Sequence, residues 1–187
     1  MSSVLISLGA NMPGAWGVPL ETLRQAISEL RRLSLTVDNV SALYETEPVG
    51  GISQPRYLNA VIAAKASISP ATLLRRLKQV ERRAGRRLGV RWGPRPLDLD
   101  IIDFAGTRYG WPQGRRQRGR LVLPHPEAHR RAFVLVPLLD VAPHWRHPVL
   151  GTSARILLAR AGVTGPYAAL CPFTTRPQKH WFPDRWA

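Results

Sequence analysis

Residues 97–104, LDLDIIDF, predict a β-strand whose side chains alternate between its two faces. Asp98 and Asp100 are two residues apart, so their carboxylates point to the same face, about 6–7 Å from each other. Asp103 is an odd number of residues further along and is expected on the other face if the strand continues unbroken. The segment therefore predicts a strand that carries two neighbouring acids on one surface of a sheet.

Five further elements precede this strand and give the order β-α-β-β-α-β. The second helix has clear end signals, because Ser69 is a good N-cap, Pro70 fits the first helical position and Gly85 suits the end. The order is typical of the ferredoxin-like α+β fold and predicts an antiparallel sheet with both helices on one face. The five elements are a strand at 4–8, a helix at 18–33, a strand at 35–45, a strand at 57–68, whose alanines leave a helix as the alternative, and a helix at 69–85.

Extra C-terminal helices are predicted after this core. Residues 126–139 look helical apart from Pro137, and Thr152 or Ser153 caps a last helix that reaches Gly162. Residues 105–119 are rich in Gly and Arg and predict an exposed insertion loop, and residues 163–187 predict an irregular tail. We therefore expect one domain at 1–162, followed by the tail.

The chain is strongly basic, with 27 Lys and Arg against 12 Asp and Glu in 187 residues and a net charge of +15. Residues 75–131 alone hold sixteen basic and five acidic side chains, a net +11. Arg accounts for 24 of the 27 basic residues, and its guanidinium suits bidentate recognition of phosphate. We therefore expect a polyanion, either a nucleic acid or a nucleotide, to meet the middle of the chain.

Several classes of protein are excluded by composition. The hydrophobic fraction of 44% is too high for a disordered chain, and no apolar run approaches the ~20 residues of a membrane-spanning helix. The first residues lack the basic region of a secretory signal and predict a strand instead. A single cysteine, Cys171, can form neither an internal disulfide nor a multi-cysteine zinc site, which favours a reducing compartment such as the cytoplasm.

The two acids are preceded by a basic segment, residues 86–95, that contains Arg86, Arg91 and Arg95. A D-x-D pair alone is also what a solvated strand face would show. Carboxylates that bind divalent cations next to guanidiniums that bind phosphate oxygens form a metal–polyphosphate site, which is the interpretation we favour.

Two further groups suggest how a nucleotide and a flat heterocycle could bind. Tyr57 and Asn59 share one strand face, where an aromatic ring and a two-sided amide could recognise a heterocycle or simply be sheet residues. His125 could donate a hydrogen bond to a phosphate. No phosphate-binding loop of the G-x-x-x-x-G-K-[ST] type occurs, so a bound nucleotide would depend on metals and Arg side chains.

Four motifs occur together in one order: LGAN at 8–11, YETEPVGG with QPRYLNAV at 44–61, RWGPRPLDLDI at 91–101, and LVLPHP with RRAFVLVPL at 121–138. Together they closely resemble the 6-hydroxymethyl-7,8-dihydropterin pyrophosphokinase family of folate biosynthesis, over roughly residues 3–150. Three positions depart from the usual family pattern, namely Ala10, Glu47 and Pro126.

The resemblance implies a ferredoxin-like fold and transfer of the β,γ-pyrophosphoryl group of ATP to the hydroxymethyl oxygen of the pterin, which releases AMP. It implies that Asp98 and Asp100 bind two Mg²⁺ ions. Residues that would hold ATP or stabilise the transferring group are Arg86, Arg91, Trp92, Arg95, Ile101, Arg120, His125 and Arg131. Residues that would form the pterin pocket are Thr46, Val49, Tyr57, Asn59, Trp92 and Phe133.

A basic ferredoxin-like RNA-binding module is the competing hypothesis. The aromatic RNA-binding pattern of such modules is absent, and the acidic pair lies beside the densest positive charge, where it would repel a phosphate backbone. We therefore expect ATP and the pterin as partners, neither nucleic acid nor membrane, and a monomer in the cytoplasm.

Overall fold

The computed structural model of the chain describes residues 1–48, 53–87, 93–111, 121–162 and 168–172, the last of these by their backbone. The strands are β1 (Ser2–Ala10), β2 (Leu35–Val40), β3 (Ala42–Thr46), β4 (Tyr57–Ala66), β5 (Asp98–Phe104) and β6 (Ala168–Pro172). The helices are α1 (Pro19–Arg31), α2 (Pro70–Arg83), α3 (Ala132–Val141) and α4 (Ala154–Arg160), with a 3₁₀ turn at Ala128–Arg130.

The described strands pair into one six-stranded antiparallel sheet in the order β5-β1-β4-β3-β6, and β2 also pairs with β4. The predicted antiparallel α+β sheet is therefore confirmed. The strand expected at 35–45 is divided at Ser41, which is buried. Its N–H donates to the Val61 carbonyl and its hydroxyl accepts from the Val61 N–H, both at 2.9 Å, so that β2 and β3 lie end to end along β4.

Helices α1 and α2 cover one face of the sheet, as predicted, and α3 and α4 cover the other. In α2 the buried residues Leu73, Leu77 and Val80 recur at spacings of four and three, so one stripe of the helix meets the sheet. The Ser69 hydroxyl accepts from the Thr72 N–H at 3.3 Å and begins this helix, as predicted. Burial of each such side chain contributes about 1.5–3 kcal/mol.

Helix α3 is tied to the sheet by a partly buried polar contact as well as by apolar packing. The Asp140 carboxylate accepts from the Ala42 N–H at 3.0 Å and from the Tyr44 hydroxyl at 2.9 Å. Burial raises the pKa of Asp140, while its two hydrogen bonds act against that shift. The contact fixes the end of α3 on β3 and thereby orients its first turn, which lies towards the candidate site.

The helix predicted at 126–139 is divided at Arg131. Arg131 has extended dihedrals, φ −109° and ψ 102°, and separates the 3₁₀ turn from α3, which continues through Pro137 to Val141. The prediction of one continuous helical run is therefore wrong. Ser153, one of the two predicted caps, accepts from the Ile156 N–H at 3.5 Å and begins α4.

A bulge in β5 changes the expected position of Asp103. Ile6 pairs with Ile101 but Leu5 pairs with Asp103, so Ile102 is an extra residue in β5. The unbroken alternation that the prediction assumed does not hold, and Asp103 faces the α3–α4 side together with Asp98 and Asp100. Its carboxylate accepts from the Trp145 indole N–H at 3.0 Å and from the Gly106 N–H at 3.1 Å, away from the other two acids.

The predicted irregular tail contains strand β6, which pairs with β3 from Ala42 to Glu45. The expectation of irregular structure therefore does not hold for Ala168–Pro172. The open edge of β3 supplies hydrogen-bond partners that local sequence cannot reveal. Within the described part of the chain, no helix is both long and apolar enough to cross a membrane.

We expect Leu77→Ala to lower the free energy of unfolding by about 2–5 kcal/mol, because Leu77 is fully buried between α2 and the sheet and its truncation leaves a cavity. Urea denaturation followed by circular dichroism measures this loss. Gln79→Ala, at an exposed position of the same helix, is the control and should change the value by no more than about 0.5 kcal/mol. Equal effects of the two substitutions would contradict the assigned packing.

Candidate active site

The floor of the candidate site is a gap in the sheet surface. In the strand register, Gly9 of β1 pairs with Asn59 of β4 on one side and with Asp98 of β5 on the other. A Cβ at Gly9 would lie 3.2 Å from Oδ1 of Asn59 and 3.8 Å from the Tyr57 ring. Neighbouring strands lie about 4.8 Å apart, so the backbones of Asn59 and Asp98, one strand on each side of Gly9, are roughly 10 Å apart. Gly9 has no side chain to fill the space between them. A flat ring could lie there.

One side of this gap is an aromatic and amide surface. Asn59 is buried, and its Nδ2 donates to the Thr46 hydroxyl at 2.9 Å, which fixes the orientation of the amide. The Tyr57 hydroxyl donates to the Gly93 carbonyl at 3.4 Å, and burial raises the pKa of Tyr57, so the ring stays neutral. The arrangement offers a stacking ring beside a rigid amide.

Phe133 and Arg131 enter the site from α3. Phe133 lies in the first turn of that helix and is partly buried on the same side of the sheet as Tyr57 and Asn59. The Arg131 guanidinium lies over the Phe133 ring, 5.6 Å from its centroid. The break in the helical run at Arg131 therefore places a cation beside an aromatic ring at the helix start.

Asn11 connects the two loops that border the site. Its Oδ1 accepts from the Arg95 N–H at 2.8 Å, and its own N–H donates to the Arg95 carbonyl at 3.1 Å. Its Nδ2 donates to the Pro55 carbonyl at 3.0 Å and to Gln54 Oε1 at 3.1 Å. One buried amide at the end of β1 thus fixes the backbone of Arg95 and the segment that leads into β4.

The other side of the gap is highly charged. Asp98 Oδ1 accepts from Arg86 at 2.6 Å, and Oδ2 accepts from Arg95, also at 2.6 Å. Arg86 lies 2.7 Å from a carboxylate oxygen of Glu81 as well. Burial acts to lower the pKa of Arg86, but Asp98 and Glu81 outweigh it and the pKa is raised. Both oxygens of Asp98 are therefore engaged by guanidiniums.

Two side chains of α2 cap the free edge of β5. Glu81 Oε1 accepts from the Leu99 N–H at 2.8 Å, and Lys78 donates to the Leu99 carbonyl at 3.0 Å and to Glu81 at 2.6 Å. Burial raises the pKa of Glu81 against the opposing effect of Lys78. Burial acts to lower the pKa of Lys78, but Asp100, Glu81 and Asp98 outweigh it and keep the amine charged. The edge strand that carries the two acids is thereby held in place.

Asp100 lies among basic side chains. His125 Nε2 lies 3.7 Å from Asp100 Oδ2, and Lys78 Nζ lies 3.8 Å from Oδ1. His125 Nδ1 accepts from the Glu127 N–H at 3.2 Å, so in the neutral ring the proton is on Nε2, which faces Asp100. Burial would raise the pKa of Asp100, but His125, Lys78 and Arg131 outweigh it and lower the pKa.

The structure brings most of the predicted site residues to one face of the sheet. They are Thr46, Tyr57, Asn59, Arg86, Arg95, Asp98, Asp100, His125, Arg131 and Phe133. Val49, Arg91, Trp92 and Arg120 lie outside the described residues. Ile101 is 4% exposed and its side chain packs in the core beneath α1 and α2, which leaves only its backbone to approach a ligand.

Sequence reasoning missed four residues that shape the site: Gly9, Asn11, Lys78 and Glu81. A glycine inside a strand is a recognisable signal for close approach to the backbone, so Gly9 could have been found. The one sequence signal at Asn11 is its place in the LGAN motif. Lys78 and Glu81 had no signal, because their importance depends on α2 lying against the open edge of β5.

The donor set fits a hard divalent cation. Asp98 and Asp100 offer carboxylate oxygens on one face, and Mg²⁺ is commonly bound by one or two carboxylates together with substrate phosphates. Among the described residues there is no group of three or more His, Cys, Asp and Glu side chains that could enclose a metal.

The sequence is similar to those of known proteins. The family model for 7,8-dihydro-6-hydroxymethylpterin-pyrophosphokinase (HPPK) matches residues 5–143. The chain is 39% identical over 146 residues to 2-amino-4-hydroxy-6-hydroxymethyldihydropteridine pyrophosphokinase of Pseudomonas aeruginosa, which covers 78% of this chain and 83% of that protein. It is 39% identical over 137 residues to the protein of the same name from Bacillus subtilis, which covers 73% and 75% of the two chains.

Longer proteins share the same segment. The mitochondrial folate synthesis bifunctional protein of Arabidopsis thaliana is 39% identical over 138 residues, which is 74% of this chain but 23% of that protein. Wild-type Plasmodium falciparum HPPK-DHPS, in a crystal structure with SDX-DHP, superposes with a TM-score of 0.60 at 14% identity and covers 86% of this chain and 43% of that one. At that identity the likeness shows the fold, and the chain spans less than half of these bifunctional proteins.

We expect Asn11→Ala to lower the free energy of unfolding by about 1–3 kcal/mol, because buried backbone and side-chain groups lose their partners. Chemical denaturation measures the loss. Asn39→Ala, at an exposed position of β2, is the matched control and should be nearly neutral. If the two variants were equally stable, Asn11 would not connect the loops as described.

Proposed function

Because the chain belongs to the 7,8-dihydro-6-hydroxymethylpterin-pyrophosphokinase family, we propose that its cleft transfers the β,γ-pyrophosphoryl group of ATP to the hydroxymethyl oxygen of 6-hydroxymethyl-7,8-dihydropterin and releases AMP. The observation that carries this proposal is the row Asn59–Gly9–Asp98 across three adjacent strands. In this row the proposed pocket for a flat ring lies directly beside the proposed site for a cation and a polyphosphate.

The acceptor would lie over Gly9. Tyr57 and Phe133 offer aromatic faces to a pterin, and the Asn59 amide, held by Thr46, offers hydrogen bonds to its edge. A ring in this position directs its hydroxymethyl substituent towards Asp98 across the gap. Binding there would hold the attacking oxygen close to the phosphates, which is the main contribution that a phosphoryl-transfer enzyme makes.

The donor would lie over β5 among the cations. Arg86, Arg95, Arg131 and His125 surround the two carboxylates and can donate hydrogen bonds to phosphate oxygens. Asp98 and Asp100 would hold Mg²⁺, for which two ions are proposed, and when bound the metal neutralises and aligns the phosphate oxygens. The chain's own residues thus position both reactants on one rigid sheet.

The proposed reaction balances without a covalent enzyme intermediate. The hydroxymethyl oxygen forms a bond to the β-phosphorus, the bond from that phosphorus to the oxygen bridging it to the α-phosphorus breaks, and AMP leaves with the bridging oxygen. The hydroxyl proton is released. Arg131 and His125 can stabilise the charge that develops on the phosphate oxygens, because preorganised donors need no reorganisation at the moment of reaction.

Some assignments concern residues outside the described ranges. We propose that Arg91 and Arg120 add positive charge around the ATP phosphates, that Trp92 contacts both substrates and that Val49 completes the pterin pocket. The catalytic domain would comprise residues 1–162, and strand β6 of the following segment extends its sheet. We also propose a monomer in the cytoplasm, and light scattering on a size-exclusion column tests the oligomeric state.

Incubation of the purified chain with 6-hydroxymethyl-7,8-dihydropterin, ATP and Mg²⁺ tests the reaction directly. We expect AMP and the pterin pyrophosphate in equal amounts, measured by anion-exchange chromatography. ADP as the product would contradict transfer of a pyrophosphoryl group. Absence of product with a folded chain would contradict the proposed activity.

We expect Asp98→Asn and Asp100→Asn each to reduce the rate of AMP release by at least about 100-fold, because each removes an anionic ligand and charge from the site. Asp38→Asn, at an exposed position of β2, is the matched control and should keep full activity. Circular dichroism establishes that the variants are folded. Near-normal rates with unchanged Mg²⁺ dependence would overturn the metal assignment.

We expect Gly9→Ala to weaken pterin binding by at least about tenfold while ATP binding changes little, because the added methyl group lies 3.2 Å from Asn59 Oδ1 and enters the floor of the gap. Calorimetry with the pterin and with a non-cleavable ATP analogue separates the two effects. Ser3→Ala, on the same strand at its far end, is the control. Stronger loss of nucleotide binding than of pterin binding would contradict the pocket assignment.

A further inference from the structure

The pocket proposed for the pterin lies where the pairing of β3 with β4 ends. Thr46, the last residue of β3, and Tyr57, the first residue of β4, form the final pair of the register. Thr46 also holds the Asn59 amide, at 2.9 Å. Strand ends open more easily than strand centres, because fewer hydrogen bonds hold them. Two residues of the pocket therefore sit where the strand pair has the least support from its own backbone.

The side chain of Arg56 bridges these two strand ends. Its Nη1 donates to Glu45 Oε2 at 3.2 Å, and its Nε lies 2.6 Å from Glu47 Oε1. Glu45 and Glu47 flank Thr46, and Arg56 directly precedes Tyr57. Hydrogen bonding to Glu45 and the charge of Glu47 raise the pKa of Arg56, since both favour the charged guanidinium. One side chain thus connects the residues on either side of the last pair.

The bridge lies on the face of the sheet opposite the pocket. Side chains alternate along a strand, so Glu45 points away from the face that carries Thr46. Arg56 bonds Glu45 and is therefore placed behind the pocket, where it contacts neither substrate of the proposed reaction. The side chains of Arg56 and Glu47 are 58% and 68% exposed, so solvent weakens their ion pair and the expected effect is modest.

A contact from the other neighbouring strand fixes the same segment. Asn11, which follows β1, donates to the Pro55 carbonyl at 3.0 Å. The next residue, Arg56, is held to β3 by its two glutamates. The backbone that leads into Tyr57 is therefore tied to both strands that flank β4.

We propose that Arg56 is a positioning residue for the pterin pocket. By bonding Glu45 and Glu47 it closes the ends of β3 and β4. The closed ends keep Thr46 and Tyr57 in the places that the ring requires. This inference rests on the proposed function, because it takes these two residues as part of the pterin pocket. Glu47 departs from the usual family pattern, so its half of the bridge is not part of that pattern.

The bridge acts on one substrate and not on the other. The pterin would lie beside β3 and β4, whereas the nucleotide would lie over β5, on the far side of β1. A loosened pocket loses contacts that the pterin makes both before and during the reaction, which raises the KM for the pterin and leaves kcat unchanged. A general loss of structure would instead lower kcat and affect both substrates.

Steady-state kinetics of AMP release tests this role. We expect Arg56→Gln to raise the KM for the pterin by about three- to fivefold, with kcat and the KM for ATP within about twofold of the unaltered values. Arg32→Gln is the matched control, because Arg32 is an exposed arginine that bonds Glu29 at 2.9 Å at the end of α1, away from the site. It should change none of the three values. An unchanged pterin KM in Arg56→Gln, or an equal rise in the KM for ATP, would overturn the proposal.

Multiple variants show whether Arg56 acts through the two glutamates. The double variant Glu45→Gln/Glu47→Gln should raise the pterin KM by the same factor as Arg56→Gln. Adding Arg56→Gln to the double variant should then cause no further rise, because the contacts are already lost. Additive effects would mean that Arg56 acts independently of the glutamates and would refute the bridge.

Binding of the pterin in the presence of α,β-methylene-ATP separates this inference from the proposed reaction. Calorimetry should show binding about three- to fivefold weaker in Arg56→Gln than in the unaltered chain. If the unaltered chain neither binds the pterin nor releases AMP, the proposed function fails and the bridge has no pocket to position. If it does both, and Arg56→Gln binds the pterin equally well, only the positioning role is rejected.

Discussion

The pairing of β1 between β4 and β5 is the constraint on which the site depends. Because β1 pairs along its length with β4 and from Val4 to Gly9 with β5, Gly9 has Asn59 on one side and Asp98 on the other. A shift of one residue in either register would turn that strand's site residues towards α1 and α2. Apolar burial under those helices fixes the register, so the core that stabilises the fold also aligns the gap over Gly9 with the charged side chains at Asp98.

The open edge of β5 would be the weak point of this arrangement, since an unpaired strand edge exposes backbone donors and acceptors. Two side chains of helix α2 satisfy these backbone groups at Leu99: Glu81 accepts from its N–H and Lys78 donates to its carbonyl. The same Glu81 also engages Arg86, and Arg86 reaches Asp98. One buried carboxylate thus supports the strand and the first arginine of the site, so stability and electrostatics are joined at this residue.

The sequence predicted the features that depend on interactions between residues close together in the chain. The alternation of Asp98 and Asp100 follows from strand geometry, and the Ser69 cap follows from its hydroxyl, so both were confirmed. The bulge at Ile102 depends on pairing with β1, and the break at Arg131 and strand β6 depend on contacts made in the folded chain. Asn11 and Glu81 were missed for the same reason, because their partners lie far away in sequence.

Several arginines of the basic middle segment, residues 75–131, are bonded to groups within the chain. In the described part of this segment, Arg86 and Arg95 are bound to Asp98, Arg83 to Glu29, and Arg76 to the Leu33 carbonyl. Among the described residues, the carboxylates of Asp98 and Asp100 lie directly beside basic side chains. A polyphosphate with its divalent cations adds charge of both signs, so it can enter such a site without leaving either the arginines or the carboxylates uncompensated.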